Sequence, residues 1–188
     1  LVRQYVKFSD DLNALAADGK KLTAQEVTAI VNQLMMSTTD ILLNKNGLAY
    51  AVRKQGAGLM SISKSTSTKA YIVTYQNGVE MDKSKLEIGD DKEKNGVYKM
   101  TFGIRNFGSS TLSYNVGSIA LTEGVNNIFT GHGDTTVTMN GYQFDASLTV
   151  DSVKNGKANG NVVTISGKQT AEVTVTLRLS DDDKKYLN

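Results

Sequence analysis

The chain has no cysteine, no proline and no tryptophan, and one histidine among its 188 residues. The absence of cysteine excludes thiol catalysis, disulfides, thiolate metal sites and iron–sulfur clusters. It leaves an exterior protein open, because a chain of this size does not need staples. About nine prolines are expected at average usage, and none is present. A single imidazole, His132, rules out any mechanism that needs two. No apolar run approaches the length of a membrane-spanning helix. Lys and Arg number 21 against 19 Asp and Glu, a net charge of +2 that is far from a nucleic-acid-binding profile.

What is present is an ordinary globular composition, 39% hydrophobic and 21% charged. Its length fits one domain or two small ones. The chain opens Leu1-Val2-Arg3-Gln4-Tyr5, neither a signal peptide nor an initiator methionine. We read that opening as a mature product, a cleavage fragment or a shortened chain.

The hydrophobic period changes near residue 66. Before it, Thr23 and Glu26 form a capping box, and Val27, Ile30, Val31, Leu34 and Met35 follow at i, i+3, i+4, i+7 and i+8. The spacing predicts a helix from about Ala24 to Met36. A shorter helical segment runs from Leu12 to Ala17 and stops at Asp18-Gly19, while Leu1 to Phe8 reads as the tail of another helix. Gln55-Gly56-Ala57-Gly58-Leu59 predicts a tight turn with close backbone approach. Taken alone, residues 1–65 look too small for an independent core; isolated, they would expose the Val27/Ile30/Leu34 face.

After residue 66 the period becomes two. Tyr71, Val73 and Tyr75 alternate, as do Tyr98, Met100, Phe102 and Ile104, then Leu112, Tyr114 and Val116, and finally Val173, Val175, Leu177 and Leu179. Parity slips before Ile119 and Leu121, which predicts a bulge at Gly117-Ser118. Turns are expected at 106–110, Asn126-Asn127, Asn140-Gly141, Lys154-Asn155-Gly156 and Ser166-Gly167-Lys168. About seven short strands so punctuated predict an antiparallel β-sandwich of immunoglobulin or fibronectin type III kind.

The chemistry-bearing residues are few. His132 with Asp134 has the makings of an oriented general base, but its glycine-rich setting also fits a solvated loop. No Gly-x-Ser-x-Gly elbow, phosphate loop, dinucleotide fingerprint or zinc spacing occurs. Glu87, Asp90, Asp91 and Glu93 form one acidic cluster and Asp181-Asp182-Asp183 another; neither has calcium-loop spacing and both are flanked by lysines. Ser180-Asp181-Asp182-Asp183 also reads as a helix N-terminus. Lys83, Lys85, Lys92, Lys94 and Lys99 are interleaved with acids and make no nucleic-acid patch. From the residues alone the chain reads as a non-catalytic piece.

Two stretches carry a resemblance. Leu34-Met35-Met36-Ser37-Thr38-Thr39-Asp40, followed by Arg53-Lys54-Gln55-Gly56-Ala57-Gly58-Leu59, resembles the end of a subtilisin-like serine peptidase catalytic domain, with Thr39 where a small Ala is usual. Lys85 to Asp91 with Asn95-Gly96-Val97-Tyr98 is similar to the fibronectin-like domain that follows it in Gram-positive cell-envelope and complement-cleaving proteinases. Leu121 to Val125, Thr174 to Leu177 and Asp183 to Leu187 fit that same domain.

The resemblance implies an α+β fragment: residues 1–65 as the C-terminal part of a subtilisin-like α/β domain, and 66–188 as a fibronectin type III-like β-sandwich. It implies a secreted or cell-wall-attached serine endopeptidase as parent, acting on polypeptides. The family's nucleophile segment, Gly-Thr-Ser-Met, and its Asp and His motifs do not occur here. No catalytic, cofactor or metal residue is therefore assigned, and the fragment is expected to be inactive alone. Its expected partners are the remainder of the catalytic domain and a polypeptide substrate, with no nucleic acid and no membrane span. No cofactor is expected in this stretch, and calcium stays open for the parent. The alternative is a stand-alone β-sandwich binding or adhesion module, and a small metal-dependent hydrolase around His132 and the aspartates is a third reading.

Overall fold

The computed structural model describes the backbone of residues 1–16, 19–129 and 135–187, and the side chains of these outside 123–141. The fold is mixed α+β, mostly strands, and every paired strand is antiparallel.

Helix α1 (Val2–Phe8) and the single turn α2 (Asp10–Asn13) lead to α3 (Ala24–Ser37). The capping box of α3 forms as its sequence predicts: Thr23 N–H donates to Glu26 Oε2 at 2.7 Å and Glu26 N–H donates to Thr23 Oγ1 at 3.2 Å. The Leu12–Ala17 segment is shorter than expected, with helix only over Asp10–Asn13, and Ala17 and Asp18 lie outside the described residues. Two short helices, α4 (Val52–Gln55) and α5 (Ile62–Ser67), complete the helical part.

The main sheet has the order β1 (Ala70–Val73), β4 (Val97–Asn106), β11 (Thr170–Leu179), β8 (Ala146–Lys154). Its period-two pattern gives it two different faces. On one face Tyr71 and Val73 join Phe107 and pack with Val6, Leu12, Val27, Ile30 and Leu34 of the helices. The α3 stripe is therefore filled from within the chain, by residues on the far side of the 65/66 boundary. Leu34 is fully buried, and truncating such a side chain to alanine costs about 2–5 kcal/mol.

On the other face Ala70, Ile104, Ala171, Val173 and Val175 share a core with Val163 and Ile165. These belong to β10 (Val162–Ile165), the centre of a second sheet flanked by β5 (Leu112–Asn115) and β9 (Lys157–Asn159). A small hairpin pairs β2 (Tyr75–Gln76) with β3 (Val79–Glu80), and a long ribbon pairs β6 (Ala120–Phe129) with β7 (Thr135–Phe144). After β11 the chain closes in α6 (Asp181–Lys184) and a 3-10 turn, Lys185–Leu187.

Three turn expectations hold. Buried Asn106 donates Nδ2 to the Ser110 and Ser166 carbonyls at 2.8 and 3.1 Å and accepts from Gly108 N–H at 3.1 Å, so its amide builds the bend after β4. Asn155 and Lys168 take positive φ, 55° and 59°, at the other two. Two expectations fail. Asn126-Asn127 and Asn140-Gly141 lie within β6 and β7, paired in register with Thr138, Val137, Gly124 and Glu123. A long ladder overrides the local turn preference of asparagine and glycine there. At Gly117-Ser118 there is no bulge: β5 ends at Asn115 and β6 starts at Ala120. The bulge falls instead opposite Thr174/Val175, where Asp151 is the extra residue of β8 and accepts from Thr176 Oγ1 at 2.6 Å.

Candidate functional site

The two stretches Leu34–Asp40 and Arg53–Leu59 are separated by twelve residues or more, and the fold lays one against the other. Asp40 N–H donates to the Leu59 carbonyl at 2.9 Å and Leu59 N–H donates back to the Asp40 carbonyl at 2.7 Å. Gly58 has φ +121°, and a Cβ built on it would overlap the Asp40 carbonyl oxygen. Only glycine tolerates that backbone at that approach. Gln55 accepts from Leu42 N–H at 2.8 Å through Oε1 and donates Nε2 to the Tyr50 carbonyl at 2.5 Å. Its amide thus closes the loop between the two stretches.

Three successive hydroxyls at the end of α3 reach three different elements. Ser37 Oγ accepts from Ile72 N–H of β1 at 2.9 Å and shares a hydrogen bond with Ser84 at 3.1 Å. Thr38 Oγ1 donates to the Leu34 carbonyl at 2.8 Å and meets Ser65 of α5 at 2.7 Å. Thr39 Oγ1 donates to the Ala57 carbonyl at 2.5 Å. These hydroxyls are engaged in structure, and the chain's one imidazole, in His132, lies outside the described residues together with Asp134. The described residues therefore place no imidazole beside Ser37, Thr38 or Thr39.

A second polar group joins α3 to the sheet. Arg105 grips Glu80 with both terminal nitrogens, at 3.0 and 2.7 Å, and its Nε donates to Thr170 Oγ1 at 3.1 Å. Gln33, buried on the apolar stripe, donates Nε2 to Glu80 Oε1 at 3.2 Å and to the Met81 carbonyl at 2.8 Å. A cavity of about 430 Å³ adjoins this group, lined by Leu15, Leu22 and Ile30 with Gln33, Glu80 and Arg105. The bidentate guanidinium and the Gln33 amide both hold Glu80, so the arrangement clasps α3 to the sheet. Sequence reading missed it; the only signal was a glutamine on a helix face otherwise apolar.

The acidic clusters do structural work. Asp91 accepts from Gly96 N–H at 2.9 Å and Asn95 N–H at 3.3 Å, and the Gly96 bond leads in holding its carboxyl below the usual range. Glu87 pairs with Lys85 at 2.5 Å. Asp181 pairs with Lys184 at 2.8 Å, and Ser180 caps α6 by accepting from Asp183 N–H at 3.2 Å, the helix start its sequence predicts. Asp183 is buried and accepts from Tyr142 OH at 2.8 Å and Asp145 N–H at 2.5 Å. Among the described residues no three His, Cys, Asp or Glu side chains gather where they could hold a metal ion. Nor is any helix among them long and apolar enough to cross a membrane. No protein-family model and no curated protein matches the chain.

Proposed function

We propose that this chain is a piece of a secreted or cell-surface subtilisin-like serine endopeptidase, contributing the closing helical layer of the catalytic domain and the first fibronectin-like β-sandwich after it. In this reading the nucleophile, base and oxyanion hole belong to residues outside the chain. The piece completes the scaffold and guides polypeptide substrates.

One observation carries the reading. The segments 34–40 and 53–59, which together resemble the end of the catalytic domain, meet through Ala57, Gly58 and Leu59, while Gln55 closes the loop between them. The shared core of Ile104, Val173 and Val175 with Val163 and Ile165 is what two facing sheets of a sandwich require.

The test is proteolysis of casein by two samples. The 188-residue chain is expected to be inactive, and the longer natural product active and blocked by a serine-directed phosphonylating reagent. Casein cleavage by the short chain, or a natural product that the reagent leaves unlabelled, overturns the proposal.

The alternative of a stand-alone binding module has one observation in its favour. Tyr142 and Tyr186 are exposed and touch, with ring centroids 5.3 Å apart. Their planes meet at 49°, so they present no flat stacking platform for a sugar ring.

A further inference from the structure

The second sheet has three strands, β5, β10 and β9, and the main sheet it packs on has four. The uncovered place lies beside β5, over β1. Both strands line one cavity of about 320 Å³ there, walled by Ala70 and Ile72 of β1, Phe102 and Ile104 of β4, and Tyr114 and Val116. Alternation along β1 sends Tyr71 and Val73 to the helices, so Ala70 and Ile72 face the second sheet. Ile72 is only half-buried, because no strand lies across it.

The β5 edge beside that cavity is open. Val116 N–H donates to the Asn161 carbonyl at 2.9 Å, and the same register sets Tyr114 opposite Val163 and Leu112 opposite Ile165. Antiparallel neighbours exchange bonds at every second position, so Ser113 and Asn115 turn their N–H and C=O groups away from β10. Among the described residues nothing bonds these four groups, and both residues are exposed. The β1 edge of the main sheet is closed instead. Thr68 Oγ1 accepts from Ala70 N–H at 3.2 Å and donates to the Ala70 carbonyl at 2.8 Å, while Ser37 and Ser84 hold both backbone groups of Ile72. An edge whose ladder groups stay unpaired is a template for another strand.

We propose that the β5 edge binds an extended segment of another polypeptide, added antiparallel as a fourth strand of the second sheet, with one apolar side chain seated in the cavity. Hydrogen-bond complementarity selects this occupant. Two donors and two acceptors on alternate residues, about 7 Å apart, match a stretched peptide backbone. Register selects the side chain. Partner residues opposite Ser113 and Asn115 exchange backbone bonds with them, and the residue between stands opposite Tyr114 with its side chain on the same face. That face looks onto Ile72 and Phe102, which suits leucine, methionine or phenylalanine and penalises a charge. The bound segment is an endopeptidase substrate only on the reading proposed above; the strand site stands without it.

The probe is a seven-residue peptide, capped at both ends, of threonine and serine around a central leucine, titrated into the isotopically labelled 188-residue chain. Saturation is expected below about 1 mM, with the Ser113 and Asn115 amides exchanging at least about tenfold more slowly in the complex. Two N-methylated peptides read the strand period. Methylating the residues on either side of the leucine removes the donors aimed at β5, and binding is expected to weaken at least about tenfold. Methylating the leucine, whose N–H points away from β5, is expected to change affinity less than about threefold. Aspartate in place of leucine is expected to cost at least about tenfold. No binding at about 1 mM, or equal losses from the two methylations, overturns the proposal. So does slowing of the same two amides with protein concentration alone, since a second copy is then the occupant. A peptide that binds as expected, beside a natural product that the serine-directed reagent leaves unlabelled, keeps the strand site and defeats the peptidase reading. A labelled natural product beside a peptide that does not bind does the reverse.

Discussion

Gly58 and Asp40 approach so closely that the glycine has no room for a side chain, and this contact joins two stretches that are distant in sequence. Replacing Gly58 by alanine forces either the φ of +121° onto a residue with a Cβ or the Asp40 carbonyl out of place. We expect Gly58→Ala to cost about 1–3 kcal/mol, or roughly 2–4 °C of melting temperature per kcal/mol for a chain of this size. Gly117→Ala is the internal control, because open space surrounds Gly117 and its φ lies outside the left-handed region. Equal melting temperatures for the two variants contradict the close-approach account.

Ser37 protects the free edge of the main sheet. Its Oγ takes the Ile72 N–H, while Ser84 Oγ donates to the Ile72 carbonyl at 2.7 Å. Ser37→Ala leaves that N–H half-buried without its acceptor, and we expect a loss of about 1–3 kcal/mol in urea unfolding. A change under about 0.5 kcal/mol contradicts the role.

At the opposite edge Asn161 does the same for β8. Its Nδ2 donates to the Leu148 carbonyl at 3.0 Å and its Oδ1 accepts from Val150 N–H at 3.3 Å. Asn161→Ala uncovers a strand edge, so light scattering of concentrated samples is expected to rise as edges pair between molecules. Scattering that stays at the parent level argues that other groups guard this edge.

Asp11 gives a pH signature. Bonds from Lys168 first and Lys69 second hold its carboxyl below the ordinary 3.8, and the Lys69 contact is 3.3 Å. A folded-state value below the unfolded one stabilises above the unfolded pKa and is lost as pH falls through the folded value. The parent chain should therefore exceed Asp11→Asn in melting temperature at pH 7, and the gap should close as pH falls below 3.8. The pairs are well exposed, so the gap corresponds to under about 1 kcal/mol and shrinks in high salt. A gap that widens with acid has the wrong sign.

Local signals were legible and long-range ones were not. Thr23 with Glu26 and the Val27-to-Leu34 stripe specify α3 because a helix satisfies them within four residues. Alternation specifies β4 and β11 for the same reason. Asn140-Gly141 misled because its turn preference is worth less than the ladder it sits in. The Arg105–Glu80–Gln33 clasp spans 72 residues of sequence, and nothing local marks such partners before the fold brings them together. Which apolar side chains of residues 41–62 stay exposed was hidden too, because only the structure separates buried Ala49 and Ala51 from exposed Leu43 and Val52.

The most direct measurement is the intact mass and full peptide map of the natural gene product, isolated from the cell that makes it. The expected result is a product much longer than 20.3 kDa with a Gly-Thr-Ser-Met segment upstream of Leu1, continuous with these residues. A natural product that starts near Leu1, or one whose upstream segment has no serine nucleophile, contradicts the endopeptidase reading and leaves a binding module in its place.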